Sequence, residues 1–285
     1  MMKAISVFDK KYTSTASNDY ALSIQINLDG FSFLVRNTIT GKIIGLKHIP
    51  YPEHIHPDDL SSELHKTLEK EPLVLPQYAE VKIMFWTQKS TLIPAPLFDG
   101  NNLKSYFEFN VQLGENEAIY CNHIKNCDSY IAYCIPSDVS TICGIYLSNA
   151  QFYCQSHPLI HTAVQSQKSS QSGCRVFVQV TDDFFDIVVA NEGSLQLHNS
   201  FGYTCTADFI YFVLNIFEQF KLSPESTPVY LGGNIGKLSN EYIGLSRYIR
   251  QLNFIETYSE EKFTHAFIDT DLHHFSALIE LQSCE

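Results

Sequence analysis

The chain carries one pattern twice, about half its length apart. Residues 25–37 read QINLDGFSFLVRN, and residues 179–191 read QVTDDFFDIVVAN. When the two segments are aligned, Gln25 meets Gln179, and both segments end in Asn. Each segment is a short apolar run, a polar turn, and a second run rich in β-branched and aromatic residues, which predicts a β-hairpin. A repeat at this distance predicts two similarly built lobes.

Similar elements follow in both halves. We predict a meander of three antiparallel strands in each half, over residues 20–26, 31–36 and 42–49 and over residues 175–180, 185–190 and 194–200. An apolar-faced helix follows each meander, opening at Pro57 in the first half and near Thr206 in the second. Each helix is followed by a predicted strand, over residues 80–88 and 229–231.

A polar stretch predicts the domain boundary. Residues 165–173 read QSQKSSQSG and contain no apolar side chain, as is typical of a linker. We therefore predict an N-terminal lobe over residues 1–165 and a C-terminal lobe over residues 174–285. A short helix over residues 98–109, capped by Asn101 or Asn102, is predicted in the first lobe. In the second, residues 254–257 and 263–269 are predicted to be extended and residues 272–282 helical.

The composition excludes several classes of function. The net charge of −12 disfavours nucleic-acid binding, which needs clustered Lys and Arg. No stretch approaches the roughly 20 apolar residues of a membrane span, and the N-terminus lacks the apolar core of a signal peptide. We expect a cytoplasmic protein that binds neither nucleic acid nor membrane.

Cysteine and histidine are concentrated in residues 121–161. Five of the eight cysteines lie there, with His123, His157 and His161, but no CxxC pair occurs. Structural zinc sites usually take their ligands from closely spaced pairs, so buried, reduced cysteines are the favoured interpretation and we expect no metal ligands. A metal-dependent enzyme built on this segment stays open as a third hypothesis.

The order of elements resembles the actin-like ATPase superfamily, which includes actin, sugar kinases, chaperone ATPase domains, FtsA and PilM. Three segments carry the resemblance: the turn at 27–30, the turn at 181–183, and the Gly-rich segment LGGN at 231–234. The resemblance implies an α/β (α+β) fold of two actin-like (RNase H-like) lobes, each a mixed sheet that starts with the meander and is flanked by helices. PilM-like or FtsA-like proteins, or an uncharacterised bacterial family with degenerate nucleotide loops, are nearest in character.

The resemblance also implies where a nucleotide would bind. The two turns correspond to the family's phosphate loops, and the Gly-rich segment corresponds to its adenosine-binding glycine pair. If nucleotide binding is retained, the cofactor-binding residues are Asn27, Asp29, Gly30, Thr181, Asp182, Asp183, Gly232, Gly233 and Asn234.

The phosphate loops depart from the family pattern. Where the family has an Asp that helps to hold magnesium, this chain has Gln25 and Gln179, and the loop Gly positions hold Asn27 and Thr181. A neutral amide is a much weaker partner for a hard cation than a carboxylate. No GxxxxGK[ST] or GxSxG motif offers a substitute site. We therefore assign no catalytic residue.

Two functions follow from this pattern. The favoured one is a non-catalytic intracellular binding or scaffolding protein with an actin-like ATPase fold and no cofactor, whose partner is another protein met through an aromatic-containing surface. The alternative is an ATP-binding protein that uses magnesium and has weak or partner-dependent ATPase activity in the inter-lobe cleft. Homo-oligomerisation is left open by the sequence.

Overall fold

The computed structural model describes residues 3–10, 12–13, 18–51, 55–75, 77–147, 149–168, 173–256 and 261–284. The described strands are β1 Ile5–Phe8, β2 Tyr20–Ile26, β3 Gly30–Asn37, β4 Ile43–Pro50, β5 Glu80–Phe85, β6 Ser90–Pro94, β7 Glu117–Ile124, β8 Ser129–Pro136, β9 Gln151–Cys154, β10 Cys174–Val180, β11 Phe184–Asn191, β12 Ser194–Gly202, β13 Val229–Gly233 and β14 Leu252–Phe254. The helices are α1 Leu60–Lys70, α2 Leu103–Asn110, α3 Ser137–Tyr146, α4 Ser156–Lys168, α5 Thr206–Gln219, α6 Asn240–Leu245 and α7 Ser276–Glu280. Within these described ranges, no helix has the length and apolar character needed to cross a bilayer.

The chain divides into two compact units, and neither is continuous in sequence. The first comprises Met1–His123, Tyr130–Gln155 and Tyr258–Thr270. The second comprises Ile124–Ser129, Ser156–Thr257 and Asp271–Glu285. The predicted boundary at 165–173 differs from this division, because residues 156–168 form α4, which packs on strands of the second unit.

The first unit is built on a mixed sheet of order β1-β4-β3-β2-β5-β9. Strands β2, β3 and β4 form the predicted antiparallel meander, and β5 runs parallel to β2. Every residue of β2 is buried, as expected for a strand covered on both faces. A smaller sheet of order β6-β8-β7 packs against α2 around Phe107 and forms a satellite core in the same unit.

The second unit has a mixed sheet of order β12-β11-β10-β13-β14. Strands β10, β11 and β12 form the second predicted meander, while β13 runs parallel to β10. The inward side chains of α5, at helical spacing, cover one sheet face and bury Phe209, Val213 and Phe217. Helices α4 and α7 contact the same sheet. The mixed α/β fold, with a meander opening each sheet, is confirmed.

Several local predictions need correction. Strand β1 was not predicted and lies beside β4. Residues 263–269 are not a strand: Phe263 makes a single bridge to Ile43, and a 3₁₀ turn over His265–Phe267 follows. That turn places Phe263 and Phe267 in ring contact, and their burial outweighs the extended pattern. The capping role predicted for Asn101 or Asn102 belongs to Asp99. Its side chain accepts from the N–H of Asn101 in the 3₁₀ turn that precedes α2.

The orientation of α5 can be tested with two aromatic truncations in one helix. Phe209 is 0% exposed and Tyr211 is 64% exposed. We expect Phe209→Ala to lower the free energy of unfolding by about 3–5 kcal/mol, because it leaves a core cavity. Tyr211→Ala is the matched control and should change it by less than about 0.5 kcal/mol. Denaturant unfolding measures both; equal costs for the two variants would contradict the packing of α5.

Candidate functional site

The first predicted phosphate turn, at residues 27–30, uses its own backbone donors. The N–H of Asn27 donates to the Gly30 carbonyl at 3.2 Å, and the N–H of Leu28 donates to Asn27 Oδ1 at 2.8 Å. The carbonyl of Asp29 accepts from the N–H of Tyr51 at 3.0 Å. A phosphate loop must point free N–H groups at its ligand. The N–H groups of Asn27 and Leu28, which this turn would offer to a phosphate, already donate within the turn.

The second turn, at residues 181–184, is closed by a threonine side chain. The N–H and the hydroxyl of Thr181 both donate to the Phe184 carbonyl, at 2.9 and 2.7 Å. The Thr181 oxygen accepts in return from the N–H groups of Phe184 and Asp183, at 3.1 and 3.4 Å. The hydroxyl of Tyr203 donates to the Thr181 carbonyl at 2.5 Å. This arrangement is a self-satisfied hairpin turn.

Gln25 and Gln179 occupy equivalent positions in their sheets. Each is the next-to-last residue of the first meander strand. Gln25 lies opposite Ser32 in β3, and Gln179 lies opposite Asp186 in β11. On the other side, both face a parallel strand, where Gln179 lies opposite Gly232. The alignment of the two glutamines is confirmed at the level of strand register.

Each glutamine begins a buried polar row that crosses its meander. In the first unit the row is Gln25, Ser32 and His48, and the Ser32 hydroxyl lies 2.8 Å from His48 Nδ1. In the second unit the equivalent row is Gln179, Asp186 and Ser200. All except Ser200, which is half-buried, are buried.

The carboxylate of Asp186 is the charged centre of the second row. Ser200 Oγ donates to Asp186 Oδ1 at 2.5 Å, and Ser156 Oγ, at the start of α4, donates to Oδ2 at 2.7 Å. His198 Nε2 lies 4.0 Å from Oδ2. Because the single hydroxyl hydrogen of Ser156 goes to the carboxylate, the Ser, His and Asp side chains are not arranged as a nucleophilic triad. Sequence reasoning missed this cluster; its signal was one acidic residue inside the apolar run FFDIVVA.

The glycine pair is required by packing within the second unit. A methyl group on Gly232 would lie 2.4 Å from Ser276 Oγ and 2.5 Å from Gln179 Oε1. Gly233 has a φ of +80°, and a methyl group there would lie 2.2 Å from the Val180 carbonyl oxygen. Only glycine fits two such positions without strain.

Asn234 ties the glycine segment to the second turn. Its N–H donates to the Val180 carbonyl at 2.8 Å, and its side-chain amide donates to Asp182. The N–H of Ile235 donates to the Gly233 carbonyl at 2.8 Å. The structure therefore brings together Thr181, Asp182, Asp183, Gly232, Gly233 and Asn234 in the second unit. Asn27, Asp29 and Gly30 belong to the first unit.

A C-terminal segment, residues 272–280, packs on this glycine segment. Ser276 Oγ donates to Gln179 Oε1 at 3.0 Å. His273 Nε2 and His274 Nδ1 lie 2.9 and 2.6 Å from the carbonyl oxygens of Ile235 and Gly233. A carbonyl can only accept, so both ring nitrogens carry hydrogen. Burial lowers the pKa of His273 below its ordinary value of 6.5, and the neighbouring His274 lowers it further.

The Cys/His-rich segment has the character of buried core. All eight cysteines are thiols, and burial raises the pKa of Cys121 to about 11 and that of Cys143 to about 12. Thiols in such surroundings are poor nucleophiles and poor metal ligands. In the parts of the chain that the structure describes, no three His, Cys, Asp or Glu side chains are grouped to hold a metal ion.

Solved structures with this fold are known. A Bacteroides thetaiotaomicron protein with an actin-like ATPase fold and unknown function superposes with a TM-score of 0.80 at 26% identity, over 96% of this chain and 99% of that one. The PilM-PilN type IV pilus biogenesis complex matches with a TM-score of 0.60 at 8% identity, over 92% of this chain and 97% of that one. The second likeness concerns the fold alone.

Comparison by sequence identifies a family. No curated protein matches the chain. The sequence model of one family, described as Protein of unknown function (DUF3822), matches residues 9–252, which is most of the chain. With the superposition above, the fold is that of the actin-like ATPases. The chain therefore belongs to the DUF3822 family of proteins of unknown function.

Proposed function

We propose that this protein is a non-catalytic binding or scaffolding protein that uses an actin-like ATPase fold without its nucleotide chemistry. One observation carries the proposal: backbone N–H groups that would cradle phosphates already donate to carbonyl groups of this protein, at Asn27, Thr181 and Asn234. An ATP phosphate would have to break these bonds first. Each bond lost without replacement costs about 1 kcal/mol or more.

The charges support the same function. Gln25 and Gln179 stand where the family has carboxylates, so neither adds negative charge for a magnesium ion. The carboxylate nearest to Gln179 in register is Asp186, which already accepts two hydroxyl hydrogens inside the unit. Asp182 accepts from Asn234. Without a metal, a triphosphate beside Asp182 and Asp183 would meet like charge.

The glycine pair adds a steric argument. Both glycines are buried, and the side chains of Gln179 and Ser276 fill the space beside Gly232. A base or ribose approaching that face would have to displace a segment whose residues Ala277, Leu278 and Ile279 are themselves buried. The glycines thus serve packing of the chain on itself.

An exposed apolar surface on the first unit supports a protein partner. Phe109 in α2 is 87% exposed and Leu97 is 66% exposed. Tyr106 lies one helical turn before Phe109, and its hydroxyl donates to the Leu97 carbonyl at 2.7 Å, so it connects the two. Exposed aromatic and aliphatic side chains of this kind are commonly buried when a protein binds a protein partner.

Nucleotide binding is tested by thermal melting with ATP and magnesium. At ~1 mM ATP, a site with a Kd of ~10 µM would stabilise the protein by about 2.7 kcal/mol and raise the Tm by several degrees. We expect a change of less than about 1 °C and no ATP turnover approaching ~1 per second. An actin-like ATPase measured in parallel is the positive control. A rise of several degrees that the Asn234→Ala variant abolishes would instead establish the alternative, an ATP-binding protein with weak or partner-dependent ATPase activity.

The burial of His273, beside His274, makes stability depend on pH. Because the folded-state pKa lies below the ordinary 6.5, the unfolded chain binds the proton more tightly, so stability falls as pH drops below about 6.5. We expect His273→Gln, which can still donate to Ile235, to lose less stability than the parent between about pH 7.5 and pH 5.5. Denaturant unfolding across this range gives the slopes. His265→Gln removes an exposed histidine and should keep the parent's slope; equal slopes for parent and His273→Gln would contradict the assignment.

A further inference from the structure

Strand β12 is an edge of the second unit's sheet. It spans Ser194–Gly202 and pairs with β11, and among the described strands it has no second neighbour. An edge strand presents a row of backbone N–H and C=O groups that can pair with another strand. Proteins usually protect such edges with charged side chains, proline or bulges.

The second half of β12 is the part without a bulge; there the N–H of Ser200 donates to Asn199 Oδ1 at 2.9 Å, a bond that pairing at Ser200 would replace. The strand reads SLQLHNSFG and contains no Asp, Glu, Lys, Arg or Pro. A register shift opposite Val189 and Ala190 places a bulge at Gln196. From Leu197 to Gly202 the pairing with β11 is regular. Residues 197–202 therefore form an edge that has no bulge and no Asp, Glu, Lys or Arg.

The side chains of this edge alternate in character. Leu197 and Phe201 are partly buried and pack against the core beneath α5. His198 and Ser200 point to the other face, where both lie near Asp186. Asn199 lies between the two apolar residues and is exposed.

We propose that two copies of this chain associate by antiparallel pairing of β12 with the second copy's β12, about a two-fold axis at Asn199. In this register Leu197 of each copy lies opposite Phe201 of the other, and His198 of each lies opposite Ser200 of the other. The two Asn199 residues lie opposite each other at the axis. Apolar residues meet apolar residues on one face, and polar residues meet polar ones on the other. A register centred on His198 would run through the bulge, and one centred on Ser200 would set Asn199 against Phe201.

Because β12 contains no Asp, Glu, Lys or Arg, a second copy of this chain is a better binding partner for its edge than a charged peptide is. Two chains of net charge −12 repel each other at long range, so a segment where no like charges meet is where they can approach at the least electrostatic cost. A charged peptide would find no complement on this edge. The contact is small, so we expect a reversible dimer of the weak, transient class. This pairing does not depend on the proposed function, because it uses none of the residues compared with the nucleotide loops.

The experiment is sedimentation equilibrium with a charge swap at the axis. The unmodified protein should shift from 32.4 kDa towards twice that mass over ~10–300 µM. Asn199→Lys and Asn199→Asp should each weaken the dimer by roughly 2- to 5-fold, because each places like charges opposite one another. An equimolar mixture of the two variants should recover a dimer at least as strong as the parent's. Ser194→Lys is the matched control in the same strand, since its opposing position lies beyond β12, and it should leave the dimer unchanged.

A second measurement needs no variant. Amide hydrogen exchange in residues 197–202 should slow as the concentration of the unmodified protein rises, while α5 stays unchanged. A protein that stays monomeric throughout, a dimer that Asn199→Lys leaves intact, or a mixture no stronger than its separate variants would each overturn the proposal. So would dimerisation without added protection in β12. Circular dichroism and melting confirm that the variants are folded.

Discussion

The second unit is arranged around a buried carboxylate. An unpaired buried charge costs several kcal/mol, so Asp186 is tolerated only while hydroxyl groups satisfy it. Those groups come from β12 and from the first residue of α4. Asp186 lies opposite Gln179, whose side chain accepts from Ser276 on α7. One polar row therefore fixes the first turn of α4 against the sheet and aligns α7 beside it. Apolar packing on the α5 face alone would not specify this arrangement.

Polar side chains also close the turns beside these rows. Threonine at position 181 closes its turn with a side chain, as Asn27 does in the first unit. Gln179 has 0% exposed surface and lies over Gly232. In both turns, N–H groups at the strand ends donate to acceptors of this protein.

Local patterns in the sequence predicted much of this fold. The two meanders and the inward face of α5 followed from alternating apolar residues, turn chemistry and helical spacing, each of which acts over a few residues. The contact of Ser276 with Gln179 spans 97 positions and leaves no local trace. Strand β1 has only four residues and depends on β4 for its pairing. Residues 169–172 of the predicted linker lie outside the described residues, and a polar composition does not reveal that α4, just before it, packs on the second sheet. Of the candidate site residues, those in the second unit do lie together, but Asp186 and His273 came only from tertiary packing.

The discontinuous division of the chain has a consequence for its synthesis. The first unit takes up residues 258–270 only after the second sheet has been made, and the second unit is completed by residues 271–285. Contacts between segments so distant in sequence are slow to form, because loop closure must precede them. Both units therefore take up their last segments only after the second sheet has been made. Cutting the gene at the polar stretch would leave both fragments without elements of their own units.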